Sequence, residues 1–215
     1  MRKHSWLKKS IASLLALTML LGAAPFTVFA ADDAAAEQAA AEQALESRVF
    51  EIGGEEYTIE DLEQCAGVFM TDGTDNMTIV PGSEVRTYLL ENDTGKFPGG
   101  VAQFSVVSTT STTAQIRAVI TSDNLLMSKI EGRMYCEMSA SPHTSLFWNP
   151  SNGVGTTTLW QSSSISPATR SINRTYANFA ASRGLNVRAG ITSMTVTFSN
   201  GSTATGSVYT NTTIQ

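Results

Sequence analysis

The sequence predicts an all-β fold: an antiparallel β-sandwich, immunoglobulin-like or similar, preceded by a low-complexity acidic segment. Three observations carry this expectation. Apolar residues alternate with polar ones at Ala114, Ile116, Ala118 and Ile120, and again at Leu185, Val187, Ala189 and Ile191. Such alternation marks a sheet with one face on a core. Turn signals, among them Asn152-Gly153 and Asn200-Gly201, separate the runs, as in a sandwich or barrel. No βαβ rhythm and no long amphipathic helix is visible.

Residues 1–30 read as a secretory signal peptide. Arg2, Lys3, Lys8 and Lys9 form a positive start, an apolar run extends from Ile11 to Phe29, and Val28 and Ala30 give a small-residue cleavage pattern. The expected product is exported, extracellular or loosely wall-associated, with no membrane segment after cleavage. Residues 31–47 read as an Ala/Glu/Gln-rich linker with no apolar stripe to drive it onto a core.

Residues 48–99 read as an acidic segment with a short hairpin. Phe50 and Ile52 lead into Gly53-Gly54, and Tyr57 and Ile59 follow. Thr58 and Asp61 have the spacing of a capping box. Further strands are expected at Met77–Val80 and Val85–Leu90. Residues 100–215 are the expected sandwich domain. There Ala102, Phe104 and Val106 alternate, as do Met134, Cys136 and Met138.

One strand changes parity. Leu185 to Ile191 are apolar at odd positions, whereas Met194, Val196 and Phe198 are apolar at even ones. Side chains alternate along a strand, so an extra residue is expected near Thr192-Ser193 to keep both sets on one face. Asn200-Gly201 then reads as a hairpin turn in which both residues accept positive φ, and so as scaffold.

The chain carries 14 basic and 19 acidic residues. Losing the four basic residues of the signal leaves 10 against 19, a net of −9. Residues 31–100 hold 16 acidic and 3 basic residues, residues 101–215 hold 3 and 7. Nucleic acid is an unsuitable partner for such a chain. The basic back half suggests weak attraction to anionic wall polymers, with the acidic front lying across it as a neutralising flap. Arg117 and Arg188 fall on the polar parity of their strands and should face solvent. Two cysteines, Cys65 and Cys136, leave two readings open. A disulfide would contribute about 4.5 kcal/mol in the chain-entropy model; otherwise both are buried thiols acting as small hydrophobes.

Residues 100–215 also carry a sequence of elements, "VAQFSVVS", "AQIRAVIT", "KIEGRMYCEM", "NGVGTTTLWQSS", "RGLNVRAGITSMTVTFSNG" and "STATGSVYTNTTI". In order and spacing these resemble a domain family of unknown function in small secreted proteins of Gram-positive Firmicutes. The resemblance implies export and an all-β fold, and no activity.

Signals for catalysis are sparse. After signal removal His143 is the one histidine, which excludes a multi-histidine zinc site. A nucleophile with a histidine base would have to use it. Asp123, Glu131 and Glu137 are the carboxylates of the back half, with no pair placed across a cleft for glycoside hydrolysis. Asp72, Asp75 and Asn76 offer hard oxygens for calcium, although the spacing is not that of an EF-hand and an Asx turn explains them. No phosphate-binding glycine loop or other cofactor motif is present.

Aromatic residues give the remaining candidates. Trp148, Trp160 and Tyr176 lie in or near loops of the β region and would stack on sugars if exposed; Trp160 is the one best suited to fill a core. The sequence therefore favours a non-catalytic extracellular or cell-surface binding module for a cell-wall polymer or carbohydrate. The alternatives are a secreted hydrolase using carboxylates or His143, and a structural or accessory protein without a small ligand.

Overall fold

The computed structural model describes residues 27–74, 76–92, 95–139, 141–149, 154–156 and 159–215. Helix α1 (Thr27–Glu46) leads to hairpin strands β1 (Phe50–Ile52) and β2 (Glu55–Tyr57), then helix α2 (Ile59–Gln64). Strands β3 (Gly67–Thr71) and β4 (Asn76–Val80) precede helix α3 (Val85–Glu91). The remainder is β: β5 (Phe97–Ser108), β6 (Thr113–Ser122), β7 (Met127–Met138), β8 (Ser141–Ser145), β9 (Phe147–Asn149), β10 (Val154–Thr156), β11 (Leu159–Thr169), β12 (Ser171–Ala180), β13 (Asn186–Phe198) and β14 (Thr203–Thr213). None of the described helices is long and apolar enough to cross a membrane.

Among the described residues, ten strands join one sheet in the order β11-β7-β13-β14-β4-β3-β5-β6-β12, with β8 added beside β7. The pairings are antiparallel except β14 with β4. The expected all-β, sandwich-like fold is thus the observed one. The sheet curls almost closed, and its inward side chains share one core. Ile116 and Ile120 of β6, Ile130 and Met134 of β7, and Val187 and Ile191 of β13 lie in that single cluster. Period-two alternation has become alternation of burial, as in β6, where Ala114, Ile116, Ala118 and Ile120 are buried while Arg117 is exposed.

The bulge is where parity demands it. The register of β13 against β14 shifts between Ile191 and Met194, and against β7 between Thr192 and Thr195. Ser193 takes φ +50°, a left-handed conformation. Val187, Ala189 and Ile191 before it, and Met194, Val196 and Phe198 after it, are all buried.

The following hairpin departs from the expectation of two left-handed turn residues. Gly201 has φ +89°, while Asn200 is not left-handed. The Gly201 N–H donates to Phe198 O and the Phe198 N–H to Ser202 O, each at 3.0 Å. This is a three-residue loop with glycine in the closing bulge. The Asn200 carboxamide oxygen accepts from the N–H and the hydroxyl of Ser202 at 3.0 and 2.7 Å, which holds Asn200 outside the left-handed region. Asn152-Gly153 lies outside the described residues.

The boundary expected at residue 100 is corrected. The chain divides at Ala41–Glu42, and residues 42–215 form one unit. Strand β3 lies between β4 and β5 and is buried on both faces. Phe69 faces the main core, whereas Val68 and Met70 face a second cluster built from Leu45, Phe50, Ile52, Ile59, Leu62, Val85 and Leu89. The acidic segment is therefore a cover for the outer face of β3 and its neighbours. It is not a flap across the basic residues. Its carboxylates Glu60 and Glu63, with Glu46 of α1, engage its own arginine: Arg86 meets Glu63 at 2.8 Å and Glu46 and Glu60 at 3.5 Å. The linker reading is likewise amended at its end, where Leu45 of α1 is buried.

Locally, the hairpin and the cap are as expected. Gly53 and Gly54 both have positive φ, the requirement of a two-residue hairpin turn. Thr58 Oγ1 accepts from the Asp61 N–H, and Asp61 accepts from the Thr58 N–H at 2.8 Å. Val85–Leu90 is not a strand. It is helical because Val85 and Leu89, four apart, both reach the second cluster.

Both cysteines are free. Cys65 belongs to the second cluster and Cys136 to the main core, so the disulfide reading gives way to two separate buried thiols. Burial pushes Cys65 up to about 11 and Cys136 up to about 12. An unfolded thiol ionises near pH 8.5. The neutral folded form is therefore favoured below that pH, and stability falls as pH rises above it toward the folded values. The loss is at most about 1.4 kcal/mol per pH unit for each thiol. Urea midpoints should hold from pH 7 to 8 and drop by pH 10, with a shallower drop in Cys136→Ala. A level profile to pH 10 would contradict thiol burial.

Candidate binding face

The sites foreseen from sequence do not converge. Trp160 of β11 is 59 % exposed, so it does not fill the core as expected. Tyr176 is the extra residue where β12 slips against β6, between Thr175 and Ala177. It packs against the main core, and its buried hydroxyl has no hydrogen-bond partner among the described residues. Burial raises its pKa above the usual phenol value. Trp160 points outward, so the two do not share an exposed face. Trp148 lies in β9, its backbone opposite Gly155 of β10; its side chain is outside the described set. His143 lies in β8, beside β7, and its side chain is likewise not described.

Strand register shows what Trp160 does face. It stands opposite Arg133 of β7, and Arg133 stands opposite Thr192 of β13. Direct partners in an antiparallel pair share a face with Cβ atoms about 5 Å apart. The next outward row is Tyr135, Gly190 and Tyr209, on β7, β13 and β14. Beyond it stand Glu137, Arg188 and Asn211. Further along β7, outward Glu131 and Lys129 pair with each other. They lie beside Ser162 and Ser164 of β11 and Thr195 and Thr197 of β13. Four adjacent strands thus present aromatic rings, cations and hydroxyls on one surface.

Parts of this surface are fixed. The Arg188 guanidinium lies 4.1 Å from the Tyr209 ring centroid, and its buried Nε has no hydrogen-bond partner among the described residues. Arg188 is outward, as its parity implied, yet half-covered; Arg117 is exposed. The Tyr209 and Ser83 hydroxyls are 2.8 Å apart, which ties the ring to the front segment. Tyr135 is half-buried, and burial raises its phenol pKa while nearby Arg188 works against the rise. Gly190 is required between the two tyrosines, since a Cβ there would lie 2.2 Å from Val208 O.

Two other features carry less chemistry. A cleft of about 250 Å³ is lined by Thr71, Met77, Phe97, Asp123 and Leu125, among others. The calcium candidate beside it is, at Asp72, an Asx turn: Oδ1 accepts the Thr74 N–H at 2.9 Å, and hydrogen bonds from the Thr74 side chain and backbone hold the carboxyl below its usual pKa. Asp75 lies outside the described residues. Among the described residues no group of three or more His, Cys, Asp or Glu is placed to hold a metal ion.

Set against family models, curated proteins and solved structures, the chain matches none.

Proposed function

We propose that this protein works outside the cell as a non-catalytic module that binds glycan chains on the outward face of β11, β7, β13 and β14. The observation that carries the reading is Trp160. Among the described residues it is the most exposed large apolar side chain, and it sits beside an exposed arginine rather than in the core. An indole face offers a flat apolar surface to the C–H side of a sugar ring. The surrounding Ser, Thr, Arg and Glu groups supply donors and acceptors for its hydroxyls. The charged start, apolar run and cleavage pattern of residues 1–30 support export. A wall polymer or extracellular polysaccharide is the ligand class within reach of such a protein.

The test is a pull-down on purified cell walls and on insoluble polysaccharides with the mature protein and Trp160→Ala. Trp anchors at binding surfaces contribute about 2 kcal/mol or more, so retention should weaken about thirtyfold. The melting temperature should hardly move, because an exposed side chain contributes little to folding. Undiminished retention of Trp160→Ala would refute this placement of the site.

A further inference from the structure

Resting on that reading, we propose that the Trp160 face selects glycans bearing carboxylates, with Arg133 receiving the acid group. Arg133 and Trp160 are direct register partners, so one sugar unit can touch both. The carboxylate of a uronic acid is attached to the ring itself. With that ring on the indole, its carboxylate lies at about the 5 Å reach of a neighbouring strand's side chain. A phosphodiester lies between sugar units instead, away from the stacked ring. The planar guanidinium fork matches a carboxylate in bidentate fashion.

Charge pairing on the face leaves Arg133 available. Glu131, two residues away on β7, is held by Lys129. Glu137 stands in register with Arg188. Arg133 is exposed and forms no ion pair among the described residues. The neighbouring Arg188 and Tyr209 are held by stacking and by the Ser83 contact. The surface is therefore largely set before a ligand arrives, which lowers the ordering cost of binding. The net charge of −9 works against anions at long range, but exposed charges are screened within about 8–10 Å, so the local guanidinium decides.

The experiment compares oligogalacturonate with a neutral galactose oligosaccharide of equal length, titrated calorimetrically into the mature protein, Arg133→Gln and Trp160→Ala. A poly(glycerol phosphate) arm is added. A charge-assisted contact should favour the acidic oligosaccharide about tenfold or more. Arg133→Gln should erase that preference by weakening the acidic oligosaccharide about tenfold and the neutral one far less, while Trp160→Ala should weaken both alike. Equal affinity for the acidic and neutral sugars, or tighter binding of the phosphate polymer than of either, overturns the inference while the glycan reading stands. Binding of none of these overturns the glycan reading, and the inference with it.

Discussion

A fragment that begins at residue 100 should fail to fold. It contains every strand that alternates cleanly, yet it lacks β3 and β4, which lie between β14 and β5. It also loses Phe69, Met77 and Ile79 from the main core. Emptying such positions costs about 2–5 kcal/mol each. Three of them sum to about 10 kcal/mol, comparable with the whole stability of a domain, 5–15 kcal/mol. The loss of the parallel and antiparallel ladders around β4 adds to this. Circular dichroism should show no cooperative thermal transition for residues 100–215, whereas residues 42–215 should melt as one unit. A sigmoidal melt of the short fragment near that of the longer one would contradict the fold described. The same reasoning removes the idea that trimming the acidic front would expose an intact basic domain.

Deleting Thr192 and Ser193 together should be nearly as damaging, although neither residue is buried. The deletion removes no buried contact. It instead joins Ile191 directly to Met194, and alternation then sends Met194, Val196 and Phe198 outward if Ile191 stays inward. All three are fully or almost fully buried. At about 2–5 kcal/mol each, their loss again reaches the total stability, and the variant should be insoluble or molten. Ser193→Gly should do the opposite. Its φ of +50° is strained for a side chain by about 1–2 kcal/mol, partly offset by the greater freedom of glycine when unfolded. A gain of up to about 1 kcal/mol should be read as a higher urea midpoint. A native midpoint in the double deletion would show that alternation from Ile191 does not set the facing of Met194, Val196 and Phe198.

These two cases show what was legible in the sequence and what was not. The bulge could be read because β13 has apolar residues on both sides of it, in opposite parity. The capping box at Thr58 and the Gly53-Gly54 turn were legible because both rest on local backbone bonds. Strand β3 was not, since "GVFMT" is buried on both faces and so shows no alternation. Helix α3 was misread because Val85, Thr87 and Leu89 fit period two as well as Val85 and Leu89 fit a helix. The facing of Trp160 was hidden by its strand. Serines occupy both parities of "WQSSSIS", and only the register against Arg133 places the indole outside. Tyr176 sits at a slip in β12, where parity counting breaks down. The site is thus a property of pairing between distant strands, which no local pattern carries.

The central claim is that ligand meets the outward face around Trp160. Amide chemical-shift mapping on the mature protein, titrated with solubilised wall polysaccharide, tests it most directly. The account predicts shifts concentrated at Trp160, Arg133, Tyr135, Gly190 and Tyr209, with the Trp160 indole N–H moving most and Thr71, Phe97 and Asp123 still. Shifts confined to the Thr71–Phe97–Asp123 cleft, with the Trp160 indole unmoved at saturation, would contradict it.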